Sequence, residues 1–195
     1  MFKQILFVML ALNVVSQIFA QQYGSFTDPR DGRVYKTVKI GNQEWMAENL
    51  NATKFNNGVP IPKSMWAWYE NSKANGDLYG GLYTWYALRD KRNIAPKGWH
   101  VPSPKEWETL LKFIGCKGNC DDKLKKYGWL PKAGGYQNVM ENFLGKRLEG
   151  RWWIGEEDNN EEDTVTILIF QGGEGGYDYS DYSKQNKYSI RCIRD

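Results

Sequence analysis

One segment of this chain carries the clearest signals of an α-helix, and it predicts a helix over residues 104–114. Ser103 is suited to cap the helix, Pro104 occupies the first helical position, and Glu106 completes a capping box. Gly115 supplies the stop signal. One apolar face recurs at helical spacing and is formed by Trp107, Leu110, Leu111 and Ile114.

Strand character lies on both sides of this helix. Residues 33–40 are β-branched and aromatic, residues 41–42 form a Gly-Asn reversal, and residues 43–46 return, which predicts a β-hairpin. Further strands are predicted over residues 152–154, 164–170 and 188–193. Shorter helices are predicted over residues 84–89 and 121–127. The pattern predicts an α+β fold of twisted antiparallel strands with one or two short helices and long loops.

Large rings dominate the composition. The chain has nine Trp and twelve Tyr beside twenty Gly, which predicts a loop-rich fold with an aromatic core rather than one of long Leu or Val runs. That predicted core includes Trp45, Trp85, Trp99 and Trp107. The formal net charge is only +3 and both signs are interspersed, so no basic face is present to bind nucleic acid.

The N-terminal segment has the layout of a secretory signal peptide over residues 1–20. Lys3 precedes an apolar run over residues 5–15, and small and polar residues lead to Ala20. Because Asn13 interrupts the run, a cleaved signal is favoured over a retained membrane-spanning helix. No Cys stands at the cleavage point to accept a lipid. We therefore expect a soluble exported protein that keeps no transmembrane anchor, with a single domain over residues 21–195.

Three cysteines make an odd number for a compartment in which disulfides persist. Cys116 and Cys120 enclose a short Gly-containing loop and can form a disulfide if the chain turns sharply there. Cys192 lies in a segment of alternating apolar residues, which predicts a buried free thiol. The chain has one histidine, His100, and its cysteine spacing matches no zinc pattern, so a metal-thiolate site is not predicted.

Six rings lie in segments that have polar or glycine neighbours and are predicted to be loops, one of them over residues 172–182. An aromatic ring that is exposed on a loop usually contacts a ligand or a partner protein. These rings are the predicted ligand-facing surface: Trp66, Trp68, Tyr69, Tyr177, Tyr179 and Tyr182. The alternative is that the loop rings fold back onto the core.

An acidic run over residues 156–163 offers hard oxygen ligands for a calcium ion. Its candidate ligands are Asp158, Asn159, Glu161 and Asp163. The alternative is a solvated loop that binds no ion. No cofactor other than this calcium ion is predicted.

Catalytic residues are not predicted. His100 is the only imidazole, but no Ser, Cys or Asp stands at a telling spacing from it. Glu106 has a capping role that explains it without catalysis. Glu48 lies near an aromatic motif and is the carboxylate that an enzymatic alternative would use.

A set of motifs, in this order, resembles the Fibrobacter succinogenes major paralogous domain family from about Phe26 onward. The residues that carry the resemblance are Asp28, 30–32, Tyr35, 37–38, 40–41, Gln43, 45–50, 81–87, 95–103, 106–107 and 189–195. The resemblance implies a C-type-lectin-like fold, distantly related to formylglycine-generating enzymes, on exported or surface-attached bacterial proteins. It implies no activity, because the family has none established.

Two departures limit what the resemblance carries over. Similar family members often have a Cys where this chain has Ala95, which implies that Cys192 has lost a partner. Formylglycine-generating relatives rely on reactive cysteines in their C-terminal region, where this chain has only Cys192, so that activity is not expected.

The sequence therefore predicts a secreted, periplasmic or surface-located non-catalytic binding module. It would recognise a glycan, or an envelope or extracellular protein, through its aromatic loops. Two alternatives remain open: a carbohydrate-active or modifying enzyme that uses carboxylates, and a structural envelope protein that self-associates and binds no small ligand.

Overall fold

The computed structural model describes residues 22–117, 120–129, 133–155, 163–171 and 176–195. Within these ranges the strands are β1 (Gln22–Thr27), β2 (Val34–Ile40), β3 (Gln43–Met46), β4 (Trp66–Ala67), β5 (Leu82–Tyr83), β6 (Trp99–His100), β7 (Gly134–Gln137), β8 (Phe143–Lys146), β9 (Glu149–Trp153), β10 (Thr164–Gln171), β11 (Tyr177–Ser183), β12 (Tyr188–Ser189) and β13 (Ile193–Arg194). The α-helices are α1 (Lys73–Tyr79), α2 (Trp85–Leu88), α3 (Pro104–Phe113) and α4 (Cys120–Lys126). A single 3₁₀ turn spans Lys63–Met65, and a tight turn spans Tyr69–Asn71, in which Glu70 and Asn71 have left-handed φ values of 54° and 52°. The predicted α+β class is confirmed.

The strands form two sheets. The smaller sheet has the order β1-β2-β3-β13-β6, and the larger sheet has the order β11-β10-β9-β12-β5-β4, with β7 and β8 attached to β9. Pairing is antiparallel except where β9 meets β12 and β7. Residues 188–194 thus place one short strand inside each sheet, because β12 joins β9 to β5 and β13 joins β3 to β6.

The elements with strong helix or turn signals in the sequence lie where they were predicted. Helix α3 has the full capping box, in which Ser103 Oγ accepts from the Glu106 amide at 3.3 Å and Glu106 Oε2 accepts from the Ser103 amide at 2.8 Å. Strands β2 and β3 form the predicted hairpin, and Gly41 takes the left-handed conformation (φ 61°) that its turn requires. The two shorter helices are also confirmed, as α2 and α4.

The predicted loop over residues 172–182 is wrong for its second half. Residues Tyr177–Ser183 form strand β11, which pairs with β10 from Phe170↔Tyr177 to Thr164↔Ser183. This strand lacks Val and Ile, so its own residues gave little β signal, and the long register with β10 supplies the stabilisation.

Apolar cores cover both faces of the larger sheet, because alternate residues of a strand point in opposite directions. One core receives Trp153, Ile167 and Ile169. The other receives Trp152, Leu168 and Phe170, and it continues to helix α3.

The predicted aromatic core is confirmed, since Trp45, Trp85, Trp99 and Trp107 each expose 2% of their surface or less. Trp45, Trp107 and Trp129 form a three-ring cluster with centroid separations of 5.0 to 5.7 Å. Tilted rings at this spacing add to the stability that burial alone supplies.

The turn between β1 and β2 is held by a buried ion pair. Asp28 accepts from Arg30 Nε at 2.9 Å and from Arg30 Nη2 at 2.6 Å. Arg30 Nη1 donates to the carbonyls of Lys54 at 2.9 Å and Ile94 at 2.7 Å. The side chains of Arg30 and Asp28 expose only 5% and 1% of their surface, so the pair fastens two distant loops to the sheet.

Cys116 and Cys120 are joined by a disulfide, with their Cα atoms 5.2 Å apart. Cys192 is confirmed as a buried free thiol between β12 and β13. None of the helices in the described part of the chain is long and apolar enough to cross a membrane.

Candidate functional site

Three of the six predicted ligand-facing rings lie at β4 and the turn after it. Trp66 and Tyr69 are 4% and 7% exposed, so their expected exposure is wrong. Trp66 Nε1 donates to the Ile61 carbonyl at 3.0 Å, and the partly buried Trp68 donates to Asn51 Oδ1 at 2.8 Å. Both indole N–H groups therefore donate to groups within the domain. This agrees with the alternative interpretation, in which the loop rings pack onto the core.

The other three rings lie on the edge strand β11. Tyr177 is 39% exposed, whereas Tyr179 is half-buried and its hydroxyl has no hydrogen-bond partner among the described residues. Tyr182 and Tyr136 stack on the Arg151 guanidinium, with 4.6 and 4.0 Å from its Cζ to the ring centroids. Of the six rings, Tyr177 is thus the one with a clearly exposed surface.

The candidate calcium ligands Asp158, Asn159 and Glu161 lie outside the described residues. Asp163 is exposed immediately before β10, and its carbonyl accepts from the Lys184 amide at 2.8 Å. Among the residues that the structure describes, no group of three or more His, Cys, Asp or Glu side chains could hold a metal ion. The calcium site stays a prediction.

A polar groove of about 630 Å³ opens over the smaller sheet. Residues that line it come from β1, β2, β3 and β13 and include Tyr23, Gly24, Thr37, Lys39, Glu44 and Arg194. Lys39 and Glu44 stand directly opposite each other in the hairpin register, and Arg194 Nη1 donates to Glu44 Oε2 at 2.8 Å. Gly24 pairs with Thr37, where a Cβ on Gly24 would come within 2.7 Å of the Thr37 hydroxyl.

His100 joins two carboxylates of this groove. Its Nε2 lies 2.9 Å from Glu106 Oε1, and its Nδ1 lies 2.7 Å from Asp195 Oδ1. Both ring nitrogens can donate only when the imidazole is protonated. Partial burial lowers the pKa of His100, but the hydrogen bonds to Asp195 and Glu106 outweigh burial, so the pKa is raised from its usual value.

The same contacts lower the pKa of Glu106. Burial alone would raise it, but hydrogen bonds from the Ser103 amide and hydroxyl, and then from His100, outweigh that effect. The Ser103 hydroxyl donates to Glu106 Oε2 at 2.7 Å and is thereby used in the helix cap. Because His100 contacts Glu106 at the start of α3 and Asp195 next to β13, this cluster ties α3 to the smaller sheet.

Comparison with known families agrees with the sequence motifs. The model of the Fibrobacter succinogenes major domain matches residues 38–194. The chain belongs to this family. Searches of curated proteins and of solved structures found no match. The part that matches the Fibrobacter succinogenes major domain includes His100 and Glu106, whereas Tyr23 and Gly24 precede it.

Sequence reasoning missed the groove of this Fibrobacter succinogenes major domain. The hairpin register alone would have placed Lys39 opposite Glu44, so that signal was present in the sequence. Strand β1 was not predicted, and its pairing with β2 completes the groove wall. Glu48, the carboxylate of the enzymatic alternative, lies outside the groove lining and accepts a hydrogen bond from the Lys36 amide at 3.2 Å.

Proposed function

We propose that this domain is a non-catalytic module that binds a carbohydrate in the groove over the smaller sheet. The observation that carries the proposal is the combination of free donors, acceptors and one exposed ring along a single open surface. Sugars offer many hydroxyl groups and an apolar face of C–H bonds, which such a surface complements. A protein of the envelope or the extracellular space is the other partner class that the sequence predicts.

The residues that line the groove offer a ring for the apolar face of a sugar and polar groups for its hydroxyl groups. Tyr23 is 60% exposed and offers a ring face for stacking. The Lys39 ammonium donates no hydrogen bond to any residue in the described ranges, so it is available to ligand oxygens. Glu44 is already oriented by Arg194, which reduces the entropy lost when its carboxylate accepts from a hydroxyl group.

The proposal extends to fold type and location. Two mainly antiparallel sheets around an aromatic core support a C-type-lectin-like fold, and family membership supports it further. The layout of residues 1–20 supports export, with cleavage near Ala20. Mass spectrometry of the protein recovered outside the cytoplasm tests the export, since retention of residues 1–20 would contradict it.

A binding screen of residues 21–195 against plant and microbial polysaccharides tests the function. We expect saturable binding that weakens about 10-fold or more in Tyr23→Ala and Lys39→Ala, because each removes a direct ligand contact. Tyr177→Ala is the matched control, since it removes an exposed ring that lies far along the chain on β11.

The control variant also separates the two candidate surfaces. Loss of binding in Tyr177→Ala with full binding in Tyr23→Ala would move the site to β11 and refute the groove. Repeating the screen with a chelator tests calcium, because binding that needs the ion would be lost. Absence of binding to every polysaccharide would refute carbohydrate recognition and favour a protein partner.

A further inference from the structure

A second pocket of about 330 Å³ shares no lining residue with the groove. It lies between helix α2 and the turn that joins β7 to β8, residues 138–142. Its size is that of a small-molecule site. Nothing in the proposed function uses it.

Lys187 brings a buried positive charge to this pocket. The residue lines the pocket although only 8% of its surface is exposed. Its Nζ donates to Gln137 Oε1 at 2.7 Å, and an ammonium group has two further N–H donors. Lys187 Nζ makes no other hydrogen bond or ion pair with the described residues. Burial lowers the pKa of Lys187, and the attraction of Glu141 only partly offsets that effect.

The orientation of the Gln137 side chain is fixed by its surroundings. Gln137 Nε2 donates to the Glu141 carbonyl at 3.1 Å, so Oε1 faces Lys187. The backbones of Gln137 and Lys187 also exchange two hydrogen bonds, at 3.1 and 2.8 Å. The ammonium is therefore held in place before any ligand arrives, which lowers the entropy cost of binding.

Apolar side chains stand around this charge. Tyr86 is 45% exposed and Val139 is 51% exposed, and the half-buried Met65 lies beside them. Large exposed apolar groups around a buried cation form an amphipathic cavity. The Glu141 carboxylate also lines the pocket, and it is the group that would repel an anion there.

We propose that this pocket binds the hexuronic acid class of sugar, with the carboxylate on Lys187 and the apolar ring face on Tyr86. A carboxylate accepts both remaining N–H donors of the ammonium, and such charge-assisted bonds are stronger than neutral ones. Neutral sugars lack the group that a desolvated ammonium needs. The inference does not depend on the groove, because the two sites share no residue.

The test uses oligogalacturonate and oligoglucuronate against neutral gluco-oligosaccharides, measured by titration calorimetry with residues 21–195. We expect the uronates to bind and the neutral oligosaccharides to bind at least about 10-fold more weakly. Lys187→Met keeps the aliphatic stem and should lose about 10-fold or more in uronate affinity. Lys97→Met, at an exposed lysine that lines neither the groove nor this pocket, should leave that affinity unchanged.

Glu141→Gln gives a readout that a purely structural Lys187 would not produce. The side chain is exposed and makes no hydrogen bond within the described ranges, so the variant should fold normally. Removing its charge should tighten uronate binding a few-fold, because the repulsion is lost. Failure of the wild type to bind uronates, or equal affinity in Lys187→Met, would overturn the proposal, as would weaker binding in Glu141→Gln.

Discussion

The buried pair between Asp28 and Arg30 offers the sharpest test of what holds this domain together. We expect Asp28→Asn to lower the free energy of unfolding by about 3–5 kcal/mol, because it leaves a buried guanidinium without its counter-charge. Asparagine keeps the shape of the side chain, so packing changes little. Domains are typically stable by about 5–15 kcal/mol, so the loss would be a large part of the total.

The structure contains its own control for this experiment. Asp90 and Arg92 repeat the same local arrangement, in which the arginine two residues on donates Nε at 2.7 Å and Nη2 at 2.6 Å to the carboxylate. This second pair is more exposed, with 16% of the Asp90 side chain and 30% of the Arg92 side chain accessible. Asp90→Asn should therefore cost less than about a third of the loss at Asp28.

The double variant Asp28→Asn/Arg30→Met extends the test. Removing the second charge should restore part of the lost stability, since no ion is then left buried and unpaired. The recovery should be incomplete because Lys54 and Ile94 each lose the donor to their carbonyl.

Urea unfolding followed by Trp fluorescence at neutral pH provides the measurement, and unchanged m-values would show that the unfolding transition is the same in each variant. Similar losses for Asp28→Asn and Asp90→Asn would refute the argument from burial. A loss below about 1 kcal/mol at Asp28 would show that water reaches the pair.

Three further predictions concern buried or paired groups. The folded-state pKa of His100 is raised, so its protonation stabilises the folded domain fully below about pH 6.5, and this stabilisation is lost as the pH rises through the raised pKa. Urea unfolding midpoints measured at several pH values should fall over this range in the wild type. In His100→Gln this fall should be absent. Tyr83→Phe should lower the free energy of unfolding by about 1–3 kcal/mol. The buried Tyr83 hydroxyl accepts from the Ala52 amide at 2.7 Å and donates to the Ala52 carbonyl at 2.9 Å, and both hydrogen bonds are lost. The control Tyr86→Phe changes an exposed ring and should unfold like the wild type. Burial raises the pKa of the Cys192 thiol to about 12, so a thiol reagent should label this residue only in denaturant, and labelling of the native protein would show that the strands around it open.

Local signals explain which elements could be predicted from the sequence. Helix α3 and the hairpin β2–β3 each carry their own start, stop or turn residues, so a short window was sufficient. Strand β11 carries no such signal, and it depends on its pairing with β10, from which residues 172–176 separate it in the sequence. Its tyrosines were therefore predicted to be loop residues.

The candidate sites depend on contacts between residues far apart in sequence, and this limited what could be predicted of them. The groove combines β1 with residues 193–195, and the second pocket combines Tyr86 with Lys187. The burial of Trp66 and Tyr69 was missed because polar neighbours in the sequence indicate nothing about what packs above a ring. His100 is evident in the sequence as the only imidazole. Its contacts with Glu106 and Asp195 could not be predicted, because the fold brings these residues together.

The position of residues 188–194 has a consequence for the order of events during synthesis. A ribosome adds residues from the N-terminus, so neither sheet has its connecting strand until residues 188–194 have been made. Pairings of such long sequence separation also form slowly. Without β12 and β13 neither sheet can close, and an unclosed polypeptide is the form that passes through a narrow translocation channel. Late closure of both sheets would thus keep the polypeptide competent for the export proposed above.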